Sequence, residues 1–278
     1  MLESFSTSTG QMLAQIEGIG TCLYQPKIVM APGGTHAFVM CQGTGAQNSI
    51  AIVNLATQSV GAYARVQGGD PADIAISPNG KQFFLSTNKT GSGVSVLGGG
   101  PAPASTVQRP VYERPQVPAF AAHVSVPAGH LAISQDGKSL YVWDATTFGQ
   151  PFYVVNTASL AVSTIDLPNG ALASTMAVSP VGNVALLSAF TQSGGQPYYV
   201  LNTKTNEVTG TFPAPLFPPG TYPTFGSDVM AFSLDGTSVW SLGCNDNCNV
   251  VSGRSFPSGD TIAETSLGSG YNALAITF

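Results

Sequence analysis

Charge is what this chain has least of. Of its 278 residues, nine are Lys or Arg and fourteen are Asp or Glu, 8% in all, against roughly 25% in an ordinary globular domain. The basic residues stand singly and the net charge is −5, so no cationic track exists for a phosphate backbone and nucleic acid is not an expected partner. No apolar run reaches the length of about 18 residues that a membrane-spanning helix needs, and direct membrane insertion is not expected. Residues 1–4, Met-Leu-Glu-Ser, lack the basic and apolar regions of a signal peptide. Histidine is limited to three isolated residues, with no paired spacing that would hold a metal. The nucleophile-elbow, zinc-protease and calcium-loop patterns are all missing. Gly137-Lys138-Ser139 looks like the end of a phosphate-binding loop, but Ala132 stands where its first Gly belongs. No cofactor and no metal are expected.

What the chain does have is 43% hydrophobic residues, 32 Gly and 20 Pro, which is too apolar for disorder. One pattern recurs along it. An apolar strand ending in a small residue is followed by a tight turn and a second strand: KIVMAPGGTHAFVM from Lys27, DIAISPNGKQFFLS from Asp73, HLAISQDGKSLYVW from His130, TMAVSPVGNVALLS from Thr175 and VMAFSLDGTSVWSL from Val229. A sixth copy, ALAITF, begins at Ala273. Units of this length made only of strands are the mark of propeller blades. Asn-Gly and Asp-Gly in the turns supply the positive φ that tight hairpins need. Each unit continues through a segment such as AIVN, YVVN or YVLN into an Asn-initiated turn and an outer strand. Labelled A to D from the axis outward, four strands complete a blade. The expected fold is therefore an all-β propeller of six blades. The closing blade is shared, with strands C and D from residues 3–17 and strand A from the C-terminal ALAITF. The whole of residues 1–278 is read as one domain, cut from a longer protein, with insertions at residues 98–119 and 213–225.

The stretch GGDPADIAISPNGKQFFLSTNKTGSGVSVL, residues 68–97, resembles the YVTN-type β-propeller repeats of bacterial and archaeal surface proteins. It carries Gly-x-x-Pro before strand A, Ser-Pro-Asn-Gly-Lys between A and B, and a Val-rich strand C. The resemblance extends over nearly the whole chain and implies an exported or cell-surface protein.

Propeller topology gathers the B–C loops and D–A connections on one face, the top. Cys22 and Cys41 both fall there, as do Cys244 and Cys248. The expected disulfides are Cys22–Cys41 and Cys244–Cys248, each worth roughly 2–3 kcal/mol from loop entropy. Register also places Lys27, Asp73 and His130 at the starts of successive A strands, with Asp228 and Asn272 nearby, around the mouth of the axial channel. A carboxylate beside an imidazole there could act as an acid–base pair. That gives an enzyme reading, a hydrolase, lactonase or lyase using Asp73, His130 and Asp228. The B–C loops are rich in Gly, Ser, Thr, Gln and Asn beside Tyr153 and Tyr199, a composition suited to glycans or peptides. The favoured reading is a monomeric recognition or scaffold module for a glycan, a peptide or another surface protein. Its expected binding residues are Lys27, Asp73, His130, Asn272, Tyr153 and Tyr199. A structural spacer within a larger surface protein is the third reading.

Overall fold

The computed structural model describes residues 2–5, 12–19, 24–42, 49–65, 71–87, 93–98, 119–127, 129–213, 230–243 and 250–266. Their regular structure is almost entirely β. Blade 1 holds β3 (Tyr24–Met30), β4 (His36–Gln42), β5 (Ser49–Asn54) and β6 (Ser59–Arg65), after an N-terminal hairpin of β1 (Leu2–Phe5) and β2 (Met12–Ile16). Blade 2 holds β7 (Pro71–Ile76), β8 (Gln82–Thr87), β9 (Gly93–Gly98) and β10 (Ala119–Val124). Blade 3 holds β11 (His130–Ile133), β12 (Ser139–Trp143), β13 (Phe152–Asn156) and β14 (Val162–Ile165). Blade 4 holds β15 (Leu172–Val178), β16 (Val184–Phe190), β17 (Tyr198–Asn202) and β18 (Glu207–Thr211). Blade 5 holds β19 (Met230–Phe232), β20 (Ser238–Gly243), β21 (Val250–Ser255) and β22 (Thr261–Ser266). Each blade is a four-stranded antiparallel meander in chain order. The first strands lie beside one another in sequence, β3 by β7, β7 by β11, β11 by β15 and β15 by β19.

The repeated turns are built by one device. In blade 2 the Ser77 backbone N–H donates to the Gln82 carbonyl at 2.9 Å and Gly80 N–H returns to the Ser77 carbonyl at 2.8 Å. The Ser77 hydroxyl donates to Asn79 Oδ1 at 2.8 Å, and Asn79 Oδ1 also accepts from Lys81 N–H at 3.0 Å. Ser134 with Asp136, and Ser233 with Asp235, repeat this arrangement. Gly80, Gly137 and Gly236 sit at φ of +69°, +70° and +66°, where a side chain is disfavoured. Blade 4 has Val181 in place of the Asx residue, keeps Gly182 at a φ of +80°, and adds Asn183 at +52°. The outer turns depend on Asn54, Asn156 and Asn202, whose side-chain oxygens accept backbone N–H groups two or three residues on.

Between the blades lies the core. Because side chains alternate across a strand, β4 sends Phe38 and Met40 into a layer shared with Ile74, Phe83 and Leu85 of blade 2. Its Ala37 and Val39 go the other way, against Ile16 and Ile19. Comparable layers join blades 2 and 3, 3 and 4, and 4 and 5. The N-terminal hairpin therefore occupies the place of a neighbouring blade on the free face of blade 1. Here the expected count needs correction: five four-stranded blades are present among the described residues, not six. A blade requires four paired strands, and the hairpin supplies two. The C-terminal ALAITF assigned to its strand A lies outside the described residues.

Leu187, fully buried between blades 3 and 4, gives a direct check on this layering. Leu187→Ala is expected to lower the unfolding free energy by about 2–5 kcal/mol. Val162→Ala, at a side chain 44% exposed, should change it by less than about 0.5 kcal/mol. Denaturant titration of the two variants distinguishes layered blades from loosely associated sheets, for which the two losses would be alike.

Candidate functional site

Register brings three of the expected residues together. Lys27 lies in β3, Asp73 in β7 and His130 at the head of β11, so one comes from each of three successive inner strands. Asp73 is 1% exposed, and burying an unpaired carboxylate would be strongly unfavourable. It is compensated completely. Lys27 Nζ lies 2.8 Å from Asp73 Oδ1 and 2.9 Å from Oδ2. Leu131 N–H donates to Oδ2 at 2.7 Å and Ile74 N–H to Oδ1 at 2.5 Å. A carboxylate has about four acceptor sites, and these contacts fill them. Lys27 Nζ donates further to the Leu131 carbonyl at 3.0 Å, while His130 Nδ1 stands 3.5 Å from Oδ2. Burial alone would raise the Asp73 pKa. The Lys27 charge, helped by hydrogen bonds from His130 and Lys27, outweighs it and holds the group below the ordinary value of 3.8.

Neighbouring contacts continue this seam. The Ser86 hydroxyl donates to the Gly129 carbonyl at 2.6 Å, and the Trp143 indole N–H donates to the Ser174 carbonyl at 3.1 Å. Gly129 has to be glycine because an added Cβ would collide with the Trp143 carbonyl. The His130 and Trp143 rings are 5.6 Å apart. Blades 1 to 4 are thus tied in series at the starts of their inner strands. The group expected as an acid–base pair thus also clamps three blades together, with Asp73 held between Lys27, His130 and the Leu131 N–H.

The other expected residues do not join it. Tyr153 packs, half-buried, against the layer between blades 2 and 3. Asp228 and Asn272 lie outside the described residues. So do Cys22, Cys244 and Cys248, and Cys41 is described only by its place in β4, paired with Ser49. Among the described residues no group of three His, Cys, Asp or Glu could hold a metal ion.

Tyr199 belongs to a separate place, a groove of about 710 Å³ at the top of blade 4. One wall is the 3₁₀ turn Pro168–Gly170 that connects blades 3 and 4. The floor and second wall come from Gln196 and Pro197 in the β16–β17 loop and from residues 208–211 of β18. Tyr199 is 3% exposed; its hydroxyl donates to the Pro168 carbonyl at 3.1 Å, and burial raises its pKa. The Gln196 amide nitrogen is buried without a hydrogen-bond partner among the described residues. No lining residue is charged. Sequence reading marked Tyr199 and the Gln-bearing B–C loop that ends at Gln196 but missed Pro168, because the groove joins segments of two different repeats.

The clamp makes a testable statement about acid stability. Lys27→Met removes the lysine counter-charge from the buried Asp73 carboxylate and is expected to destabilise the fold by about 3–5 kcal/mol. Since the Asp73 pKa is lowered in the fold, its contribution is complete above the ordinary carboxylate value of 3.8 and drains away as pH falls through the lower native value. In Asp73→Asn that part of the pH dependence should vanish from denaturant titrations run across the acid range. An unchanged acid profile would contradict the clamp.

No family description and no curated protein sequence matches the chain. Solved structures do. It is similar to Kuenenia stuttgartiensis hydrazine synthase at 16% identity and a TM-score of 0.59, over 91% of this chain and 70% of that one. It is also similar to TolB from Acinetobacter baumannii at 14% identity and a TM-score of 0.59, over 88% of this chain but only 55% of that one. At such identities the likeness speaks for architecture alone. With the radial series of meanders and the layers between them, it identifies the chain as an all-β propeller.

Proposed function

We propose that this propeller is a recognition or scaffold module that binds through its top face, in an exported or cell-surface protein with repeats of the YVTN type. The observation that carries the reading is the filling of Asp73. The axial residues that would have to do acid–base chemistry are engaged in joining blades, and the described top-face loops consist mostly of neutral hydrogen-bonding groups, with Asp144 and Asp166 as charged members. The top-face groove at blade 4 adds a concave, uncharged surface with a volume in the usual range for ligand sites, roughly 300–1,000 Å³. Both features suit a partner recognised by shape and neutral hydrogen bonds, such as a glycan, a peptide or another surface protein. In the hydrolase, lactonase or lyase alternative, Asp73 would orient His130, whose Nδ1 stands 3.5 Å from Oδ2, and His130 would carry the proton.

Glycan and peptide arrays probed with the purified chain test this reading. Saturable binding is expected to persist in His130→Ala, which leaves the Lys27–Asp73 contacts in place. Turnover of an ester or lactone panel that is lost in His130→Ala, with the fold intact, would establish the enzyme reading instead.

A further inference from the structure

We propose that the Asn169–Gly170 step in the turn ahead of blade 4 is a site of spontaneous covalent modification, where the asparagine amide cyclises onto the Gly170 nitrogen and opens with water to an acid. The sequence holds two Asn-Gly steps, each preceded by proline: Pro78-Asn79-Gly80 and Pro168-Asn169-Gly170. Glycine shields its own main-chain nitrogen least, because it has no Cβ. With the same three residues at both steps, a difference in reactivity is set chiefly by the fold.

The fold holds the first step shut. Asn79 Oδ1 accepts from the Ser77 hydroxyl at 2.8 Å and from Lys81 N–H at 3.0 Å, which pins the amide carbon. Gly80 N–H donates to the Ser77 carbonyl at 2.8 Å, and a Cβ on Gly80 would stand 3.6 Å from Pro32 of the neighbouring blade. The second step has none of this support. Asn169 is exposed, and its side chain makes no hydrogen bond among the described residues. Gly170 N–H reaches the Leu167 carbonyl at 3.2 Å and Ala171 N–H the Pro168 carbonyl at 3.3 Å, at or beyond the long end of the normal range. Asn169 and Gly170 are both left-handed, at φ of +58° and +60°, a conformation that costs a residue with a side chain free energy. Nothing lies within 4 Å of where a Cβ on Gly170 would stand. An exposed turn closed by two long bonds opens locally at little cost, and opening frees both reacting atoms.

Cyclisation needs only these two residues and water. The Gly170 nitrogen gives its proton to hydroxide and attacks Asn169 Cγ. The new Cγ–N bond closes a five-membered imide, the Cγ–Nδ2 bond breaks, and the amide nitrogen leaves as ammonia after taking a proton from water. Water then adds to one of the two imide carbonyls. Cleavage at Cγ leaves an aspartyl residue at position 169; cleavage at the main-chain carbonyl leaves an isoaspartyl residue, whose chain runs through Cβ and Cγ and is longer by one carbon. The sum is amide plus water to carboxylate plus ammonium, with nothing oxidised or reduced. Both products put a carboxylate on the wall of a groove whose lining holds no charge. The isoaspartyl form also displaces Ala171 from the Pro168 carbonyl that it shares with the Tyr199 hydroxyl. The groove therefore gains charge as the molecule ages, whatever the top face recognises.

The test incubates the folded chain for weeks at mildly alkaline pH, where the nitrogen loses its proton more readily, and reads each Asn-Gly step by peptide mapping with mass spectrometry. Conversion of Asn169 is expected to run about tenfold or more ahead of Asn79, and the two rates are expected to converge in denaturant, where both turns are open. Asn169→Gly keeps a residue at home in the left-handed conformation and removes the amide. It is expected to abolish the main acidic species that ion-exchange chromatography resolves as the wild type ages. Equal rates at the two steps in the folded chain, or faster conversion of Asn79, would overturn the proposal. So would an acidic species that forms as fast in Asn169→Gly as in the wild type. A gap that persists in denaturant would trace it to the flanking Lys81 and Ala171, and would overturn the assignment to the fold.

Discussion

Burial of each blade on both faces is the constraint from which the rest of this molecule follows. A strand in a one-sided sheet can alternate apolar with charged residues, but a strand between two neighbours has to present something apolar in both directions. β12 shows the consequence, with Tyr141 in the layer toward blade 4, Leu140 and Val142 in the layer toward blade 2, and all five of its residues buried. The scarcity of charge in the sequence is thus a property of the architecture. Polar residues serve the turns, where Ser, Asn and Asp satisfy the backbone, the exposed strands at the rim, and a set of small buried strand positions such as Ser86, Ser188 and Ser241.

Against that background a buried carboxylate stands out. Asp73 is tolerated because a lysine from the blade before and a backbone N–H from the blade after converge on it. The arrangement converts a costly group into a joint linking three blades. The groove at the top of blade 4 is of the opposite kind: its lining carries no charge.

Much of this was legible in the sequence, and what was not has physical causes. The turns could be read because Ser77, Ser134 and Ser233 recur with Asn or Asp two residues on. The clamp's members could be found because Lys27, Asp73 and His130 share one register position. Their role could not, since it depends on the Leu131 backbone N–H, which leaves no mark on composition. Tyr153 and Tyr199 looked equivalent by repeat position and both pack toward the preceding blade, but only Tyr199 also lines a groove, because its hydroxyl meets the Pro168–Gly170 turn ahead of blade 4. The six-blade expectation counted strand-like segments, whereas a blade is counted by pairing, and the N-terminal hairpin contributes two strands.

The link between blade packing and the buried carboxylate is measured most directly by native-state hydrogen exchange at the Leu131 amide, which donates to Asp73 Oδ2 at 2.7 Å. If the clamp holds blades 2 and 3 together, this amide exchanges only through global unfolding, and its protection tracks denaturant stability. Exchange as fast as that of the exposed Thr146 amide in the β12–β13 loop would show that the blades open at the axis without unfolding, and would contradict the clamp.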